Sequence, residues 1–201
     1  MRYLKGKVSH EIVIQKSTFI AVLMPLEKKE DFSVSMDRIR LEYPKANHYC
    51  SASLLGFTAE QQTASDDGEP SRTAGVPILE VLKHYELTDI LCVVIRYFGG
   101  IKLGAGGLVR AYTKVVADAL KQAKFYQKKQ VPSYQVRFSY THIDLLDRHF
   151  SSHASILDKT FLEDITYILV LHDDDERIIK EIGHLLIDFK KLEPQTLCID
   201  E

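Results

Sequence analysis

The chain has 201 residues, 45% of them hydrophobic and 27% charged, with a formal net charge of −2 and three cysteines. This is the composition of a folded protein able to bury one large core or two small ones. No apolar run reaches membrane-spanning length, and the alternating start MRYLKGKVSHEIVI lacks a signal-peptide apolar block, so no membrane partner is expected and a cytoplasmic location is. Cys50, Cys92 and Cys198 are odd in number, far apart and set among apolar or strand-like residues, which fits buried thiols in a reducing compartment.

In chain order, Lys5 to Ile14 and Ser17 to Leu26 are rich in β-branched and aromatic residues and separated by Gln15 and Lys16 alone, the pattern of a hairpin. Phe32, Met36, Ile39 and Tyr43 recur at helical spacing between Lys28 and Tyr43, where Pro44 stops the helix. His48 to Leu55 reads as a strand, and Gly56 to Gly75 as a long irregular loop of the kind that is usually functional or mobile. Pro77 opens a helix, and the unbroken apolar run Ile90 to Ile95 reads as a strand covered on both faces.

The stretch RYFGGIKLGAGGLVRAY, Arg96 to Tyr112, places five glycines between that strand and an amphipathic helix from about Gly106 to Phe125. Glycine permits positive φ and close backbone approach, and a helix starting there directs unpaired N–H groups and the positive end of its dipole into the adjoining space. Arg96, Gly99, Gly100, Lys102, Gly104, Gly106 and Gly107 are therefore candidates for holding a phosphate or carboxylate. The alternative is a tight strand-to-helix crossover in which glycine serves geometry alone. Neither the Walker A nor the Rossmann spacing fits: Ala105 and Gly106 follow Gly104 where Lys and Ser or Thr would be needed, and Val109 stands where a third Rossmann glycine or alanine would.

On that helix Arg110, Lys114, Lys121 and Lys124 share a narrow sector, which Lys128 extends, either as a polyphosphate-facing stripe or as an ordinary solvated face. In the preceding loop Asp66, Asp67 and Glu69 put three carboxylates within four positions, either as a cation or acid–base site or as a turn. His48 and Cys50 lack a second ligand pair at zinc spacing, so no metal is expected, nor any cofactor. No serine or cysteine stands in a nucleophile elbow.

Lys124 to Ser133 reads as a polar linker, and the charge changes across it. There are 7 basic and 14 acidic residues from Tyr134 onward, against 19 and 14 before it. Two domains are expected, at 1–130 and 134–201, the first better suited to a polyanionic partner. The second shows strand (Tyr134 to Tyr140), helix (Ile143 to His153), strand (Ser155 to Leu162), strand (Ile165 to His172), helix (Glu176 to Phe189) and strand (Thr196 to Ile199), a βαββαβ order of ferredoxin-like type. Asp173, Asp174, Asp175 and Glu176 are explained as capping and dipole compensation at its second helix.

SDDGEPSRTAGVPIL, followed by VIRYFGGIKLGAGGLVRAY, closely resembles the YigZ branch of the IMPACT family, and the resemblance covers nearly the whole chain. It implies an α+β protein, whose amino-terminal domain has the second-domain fold of small-subunit ribosomal protein five and whose carboxy-terminal domain is ferredoxin-like, similar to domains of elongation factor G. Eukaryotic relatives regulate translation by competing for an activator of the kinase that phosphorylates an initiation factor. The resemblance thus implies a regulatory protein that contacts RNA, the ribosome or a translation factor, and the basic residues Arg72, Arg110, Lys114 and Lys121, read from their own charge and spacing, are its nucleic-acid-binding candidates. A phosphate- or nucleotide-binding enzyme distantly like the GHMP kinases stands second, although their Ser-rich loop and an obvious catalytic lysine are missing. A protein-binding module without a small ligand stands third. Arg72 departs from the motif, where glycine is expected in the form EPSGTAG, and would be strained if the loop needs positive φ there.

Overall fold

A computed structural model describes residues 1–172 and 176–201; the acidic run at Asp173, Asp174 and Asp175 lies outside the described residues. The chain divides into two compact units, one of Met1–Lys128 with Ile199–Glu201, the other of Lys129–Cys198.

The first unit contains β1 (Arg2–Leu4), β2 (Val8–Ile14), β3 (Ser17–Pro25), α1 (Asp31–Glu42), β4 (His48–Leu55), β5 (Gln61–Ser65), α2 (Gly75–His84), β6 (Leu87–Thr88), β7 (Ile90–Tyr97) and α3 (Gly104–Leu120). The strand β8 (Phe125–Phe138) begins in it. Its main sheet has the order β2-β3-β7-β4-β5. β7 is central because it is apolar on both faces, as the run Ile90 to Ile95 requires. Its Ile90, Cys92 and Val94 join the core beneath α2 and α3, with Phe19, Leu54, Ile78, Leu82 and Tyr112. Leu91, Val93 and Ile95 join the opposite core, which Ile39, Phe32 and Met36 of α1 cover. By the two-residue period of a strand, Arg96 falls on the α2/α3 side.

The β2–β3 hairpin turns through Gln15 and Lys16, both at positive φ (45° and 64°), the backbone of a two-residue turn whose twist matches the strands. Segment 56–75 is not irregular throughout: Gln61–Ser65 forms edge strand β5, antiparallel to β4 and exposed along its whole length. Such a strand buries no side chain and leaves no apolar alternation to read. Likewise, Lys124 to Ser133 is not a loose linker but mostly strand, with Phe125–Gln127 of β8 paired to β1.

The second unit comprises the remainder of β8, then α4 (Ile143–His153), β9 (Ala154–Phe161), β10 (Ile165–Leu171), α5 (Arg177–Glu181) and β11 (Leu186–Asp200), which returns to the first unit at its end. β10 pairs antiparallel with both β8 and β9, and β11 pairs with β8, giving the order β11-β8-β10-β9. Tyr134, Val136, Phe138, Phe150, Tyr167 and Leu169 form its core. The helix expected from Glu176 to Phe189 ends at Glu181, and a 3₁₀ turn at Gly183–Leu185 leads into a strand far longer than Thr196 to Ile199. Glycine at 183 weakens the helix, and β11 hides from pattern reading because it is a mostly exposed strand containing Pro194. For the same reason Cys198 is exposed rather than buried, whereas Cys50 and Cys92 are buried.

Candidate functional site

Arg96 sits in register between Phe19 of β3 and His48 of β4. Its side chain is 6% exposed and pairs through Nη1 with Glu69 Oε1 at 2.6 Å, Glu69 itself being 3% exposed. The guanidinium lies 5.2 Å from the Phe19 ring centre and 5.4 Å from that of Phe98. Its buried Nε–H has no hydrogen-bond partner. Tyr112 of α3 donates its hydroxyl to Glu69 Oε1 at 2.8 Å, and the Cys50 thiol donates to the Tyr112 oxygen at 3.3 Å. Burial and the adjoining carboxylates push the Cys50 thiol up to about 12, so it is not a nucleophile at neutral pH. Burial, with Cys50 and Glu69 beside it, likewise keeps the Tyr112 phenol protonated. Removing one member of a buried ion pair of this kind costs about 3–5 kcal/mol, because the other is left charged and unpaired.

The acidic loop is a turn and part of this site together. The Glu69 N–H donates to the Asp66 carbonyl at 2.9 Å, and Asp67 and Gly68 between them have φ of 41° and 85°. The three carboxylates diverge. Asp66 accepts from the backbone N–H groups of Arg72 (2.7 Å), Ala74 (3.0 Å) and Gly75 (2.8 Å), so it occupies the N-terminus of α2. Partial burial would raise its pKa, but those N–H groups outweigh it and hold the carboxyl below its ordinary value. Asp67 accepts from Tyr49 N at 2.6 Å, and its own carbonyl meets His48 Nδ1 at 2.8 Å. Since a carbonyl only accepts, His48 Nδ1 is the donor of that bond, and Nε2 lies 4.0 Å from Glu69 Oε1.

Above Arg96 opens a cleft of about 450 Å³, lined by Asn47, His48, Glu69, Phe98, Lys102 and Gly104 among others. It brings the acidic turn and the glycine-rich segment together. The N-terminus of α3 enters this cleft with no side-chain cap, Leu103 at the cap position, and no acidic residue in its first turn. Lys102 beside it is exposed and holds no ion pair among the described residues. Larger concavities exist, such as the groove of about 670 Å³ between α2 and α3, but its lining is mostly apolar and the α2 N-terminus that reaches it is already closed by Asp66.

The glycines have separate tasks. Gly104 lines the cleft at φ +70°, and Gly100 turns at φ +86° with open space around it. Gly99 is a packing glycine: a Cβ there would stand 2.0 Å from the Lys16 carbonyl carbon, and its N–H donates to Ser17 Oγ at 3.1 Å. At Gly107 a Cβ would press on Leu103 at 3.0 Å, and Gly106 faces Arg110.

The remaining basic candidates do not gather at the cleft. Arg72 has φ +62° and lines the α2/α3 groove, so the loop does require the backbone that glycine favours. Lys114 and Lys121 both bond Asp118, at 2.7 and 2.8 Å, and the two ammonium groups hold that carboxyl down at about 2. Asp118 interrupts the stripe that four basic residues seemed to form, while Arg110 is exposed. Asn47, His48, Phe98 and Tyr112 were not picked out in the sequence as members of this site. Strand alternation from Cys92 through Arg96, and from His48 through Cys50, was the signal that could have joined two of them.

Residues 15–120 match the Impact N-terminal domain, more than half of the chain. The protein belongs to the IMPACT family. An IMPACT family member of Haemophilus influenzae is 35% identical over 197 residues, covering 94% of this chain and 96% of its own. The IMPACT family member YigZ of Escherichia coli is 32% identical over 191 residues, covering 94% and 92%, which places this chain in the YigZ branch. A crystal structure described as that of a hypothetical protein is 28% identical and superposes with a TM-score of 0.60, over 96% of this chain and 97% of that one. The match extends the mixed α+β, two-unit architecture across the length of both chains. Among the described residues no helix is long and apolar enough to cross a membrane.

Proposed function

We propose that this IMPACT family member is a translation-associated regulatory protein of the cytoplasm that contacts RNA, the ribosome or a ribosome-bound factor, seating a phosphate in the cleft at the start of α3. The observation that carries this reading is the uncompensated N-terminus of α3 opening beside the unpaired Lys102 and above Arg96. An anion there gains about 0.3–2 kcal/mol from the helix end alone. Family membership supports the connection with translation. The sheet order β11-β8-β10-β9, which is that of a split βαβ unit, supports a second domain of the ferredoxin-like kind found in elongation factor G. The first unit is read as the second-domain fold of small-subunit ribosomal protein five. Binding is favoured over catalysis because Glu69, Arg96 and Tyr112 satisfy one another instead of presenting an acid, a base or a nucleophile. Lys114 and Lys121 are secondary contacts, since each must share its charge with Asp118, and Arg72 and Arg110 are read as further contacts outside the cleft.

The test is association with single-stranded RNA measured by fluorescence anisotropy at several salt concentrations. The wild type should show a log–log salt slope, and the double variant Lys102→Glu, Arg110→Glu should reduce its magnitude by about 1.4, at about 0.7 per lost contact. Absence of salt-dependent association, or an unchanged slope in the folded variant, rejects the reading. A saturable thermal shift requiring nucleotide with magnesium, without RNA binding, would instead favour the enzyme.

A further inference from the structure

The cleft offers more than a resting place for backbone phosphates, and its remaining features have a common explanation. Phe98 is 45% exposed at the rim, with the Arg96 guanidinium 5.4 Å from its ring centre, so its ring is open to the cleft in part. Its backbone is held by Asn47, which lines the cleft and whose Oδ1 accepts from the Phe98 N–H at 2.8 Å, a bond that leaves the amide NH₂ uninvolved. At the other end stand the open N–H groups of α3 and the ammonium of Lys102. Between them lies Arg96. Glu69 takes its Nη1, and the Nε–H stays unpaired although the side chain is more than nine-tenths buried. An orphaned donor on a buried charge is costly, and Nε with its neighbouring terminal nitrogen is the fork that arginine turns to phosphate.

Resting on the reading that the cleft is an anion site, we propose that its ligand is a single nucleoside monophosphate unit, free or as the phosphorylated end of an RNA. The phosphate sits at the first turn of α3 with Lys102, and the base stacks on Phe98 within reach of the Asn47 amide. A volume of about 450 Å³ suits one such unit and not a run of them. The phosphate monoester carries about −1.5 to −2 charges at neutral pH, more than an internal phosphodiester, so it draws more from a helix end and a lysine. Stacking on an aromatic ring is tolerant of base identity, so little base preference is expected.

The experiment follows the Gly104 and Gly106 amides in ¹⁵N–¹H correlation spectra of the full chain during titration with inorganic phosphate, AMP, and short RNA oligomers with and without a 5′-phosphate. Phosphate and AMP should both shift these amides, with AMP binding at least tenfold more tightly. Phe98→Leu, at an exposed position, should remove that tenfold advantage and leave inorganic phosphate unaffected. Lys102→Gln should weaken both ligands. If the phosphorylated oligomer binds more tightly than AMP and the 5′-hydroxyl oligomer does not, the source is an RNA end; if AMP binds at least as well as the oligomer, it is a free nucleotide. AMP no tighter than phosphate, or a Phe98→Leu variant that binds AMP like the wild type, overturns the nucleotide while leaving the anion site standing. If neither phosphate nor AMP moves the amides, the anion reading itself falls.

Discussion

The first unit contains two helices that begin after glycine-bearing loops, and their N-termini are treated in opposite ways. Every helix leaves its first N–H groups without partners, and the aligned peptide dipoles make that end attractive to an anion. At α2 the protein supplies the anion itself: Asp66, reaching forward from the preceding turn, accepts from Ala74 and Gly75 as well as from Arg72. At α3 no carboxylate accepts from the first-turn N–H groups among the described residues, and Lys102 and the Arg96–Glu69 pair stand beside them. The chemistry of the two ends is the same. What differs is whether a carboxylate from the chain has already filled the place, and that separates a structural cap from a binding site.

The comparison can be broken most forcefully at α2. Asp66→Asn should cost about 2 kcal/mol in urea unfolding at neutral pH, through the lost charge-assisted bonds at the cap. The effect should depend on pH in a definite sense. Because the folded-state pKa of Asp66 lies below its ordinary value of 3.8, the unfolded chain takes up the proton first. Its contribution is complete above the ordinary carboxylate range and disappears as pH falls through the folded-state value. The stability gap between wild type and Asp66→Asn should therefore be widest near neutrality and close in acid. A gap that stays constant down to low pH would show that the carboxylate charge is not what holds α2.

A smaller effect should follow from giving α3 the arrangement of α2. Leu103→Asp places a carboxylate at the open end of the helix, where a cap is worth about 1 kcal/mol, offset in part by lost packing of Leu103 against the core beneath α2 and α3. Stability should remain within about 1 kcal/mol of wild type, while the phosphate-induced shifts of Gly104 and Gly106 vanish. Undiminished shifts would mean that the anion binds elsewhere.

The least effect is expected at Arg72, inside the α2 loop. Holding a non-glycine residue at φ +62° costs about 1 kcal/mol, of which glycine would recover roughly half after its greater freedom in the unfolded chain is counted. Arg72→Gly should raise the melting temperature by about 1–2 °C. The backbone bond from residue 72 to Asp66 is retained, so a fall in stability would assign the guanidinium a structural role in the α2/α3 groove.

Much of the fold was legible because local pattern and burial agree where a strand or helix has a face to hide. The β2–β3 hairpin, the doubly covered β7, and the apolar face of α3 from Leu108 to Ala119 all follow from periodicities of two and 3.6 residues. β5 and β11 were obscure for the converse reason: strands paired mainly through their backbone, with most side chains in solvent, need no particular residue pattern. The same distinction runs through the candidate site. Arg72 stands out only against the motif of the family that the sequence resembles, whereas that the glycine-rich segment and the acidic loop are unusual is a fact of the sequence, because each is a matter of local composition. Which carboxylate meets which donor is not. Asp66 closes α2, Glu69 pairs with Arg96, and Asp118 divides the basic stripe; these assignments depend on distances of a few ångströms between segments remote or merely adjacent in the chain. Charges and hydrogen bonds act over those short distances, so only the folded arrangement decides which anion place is filled from within and which stands open.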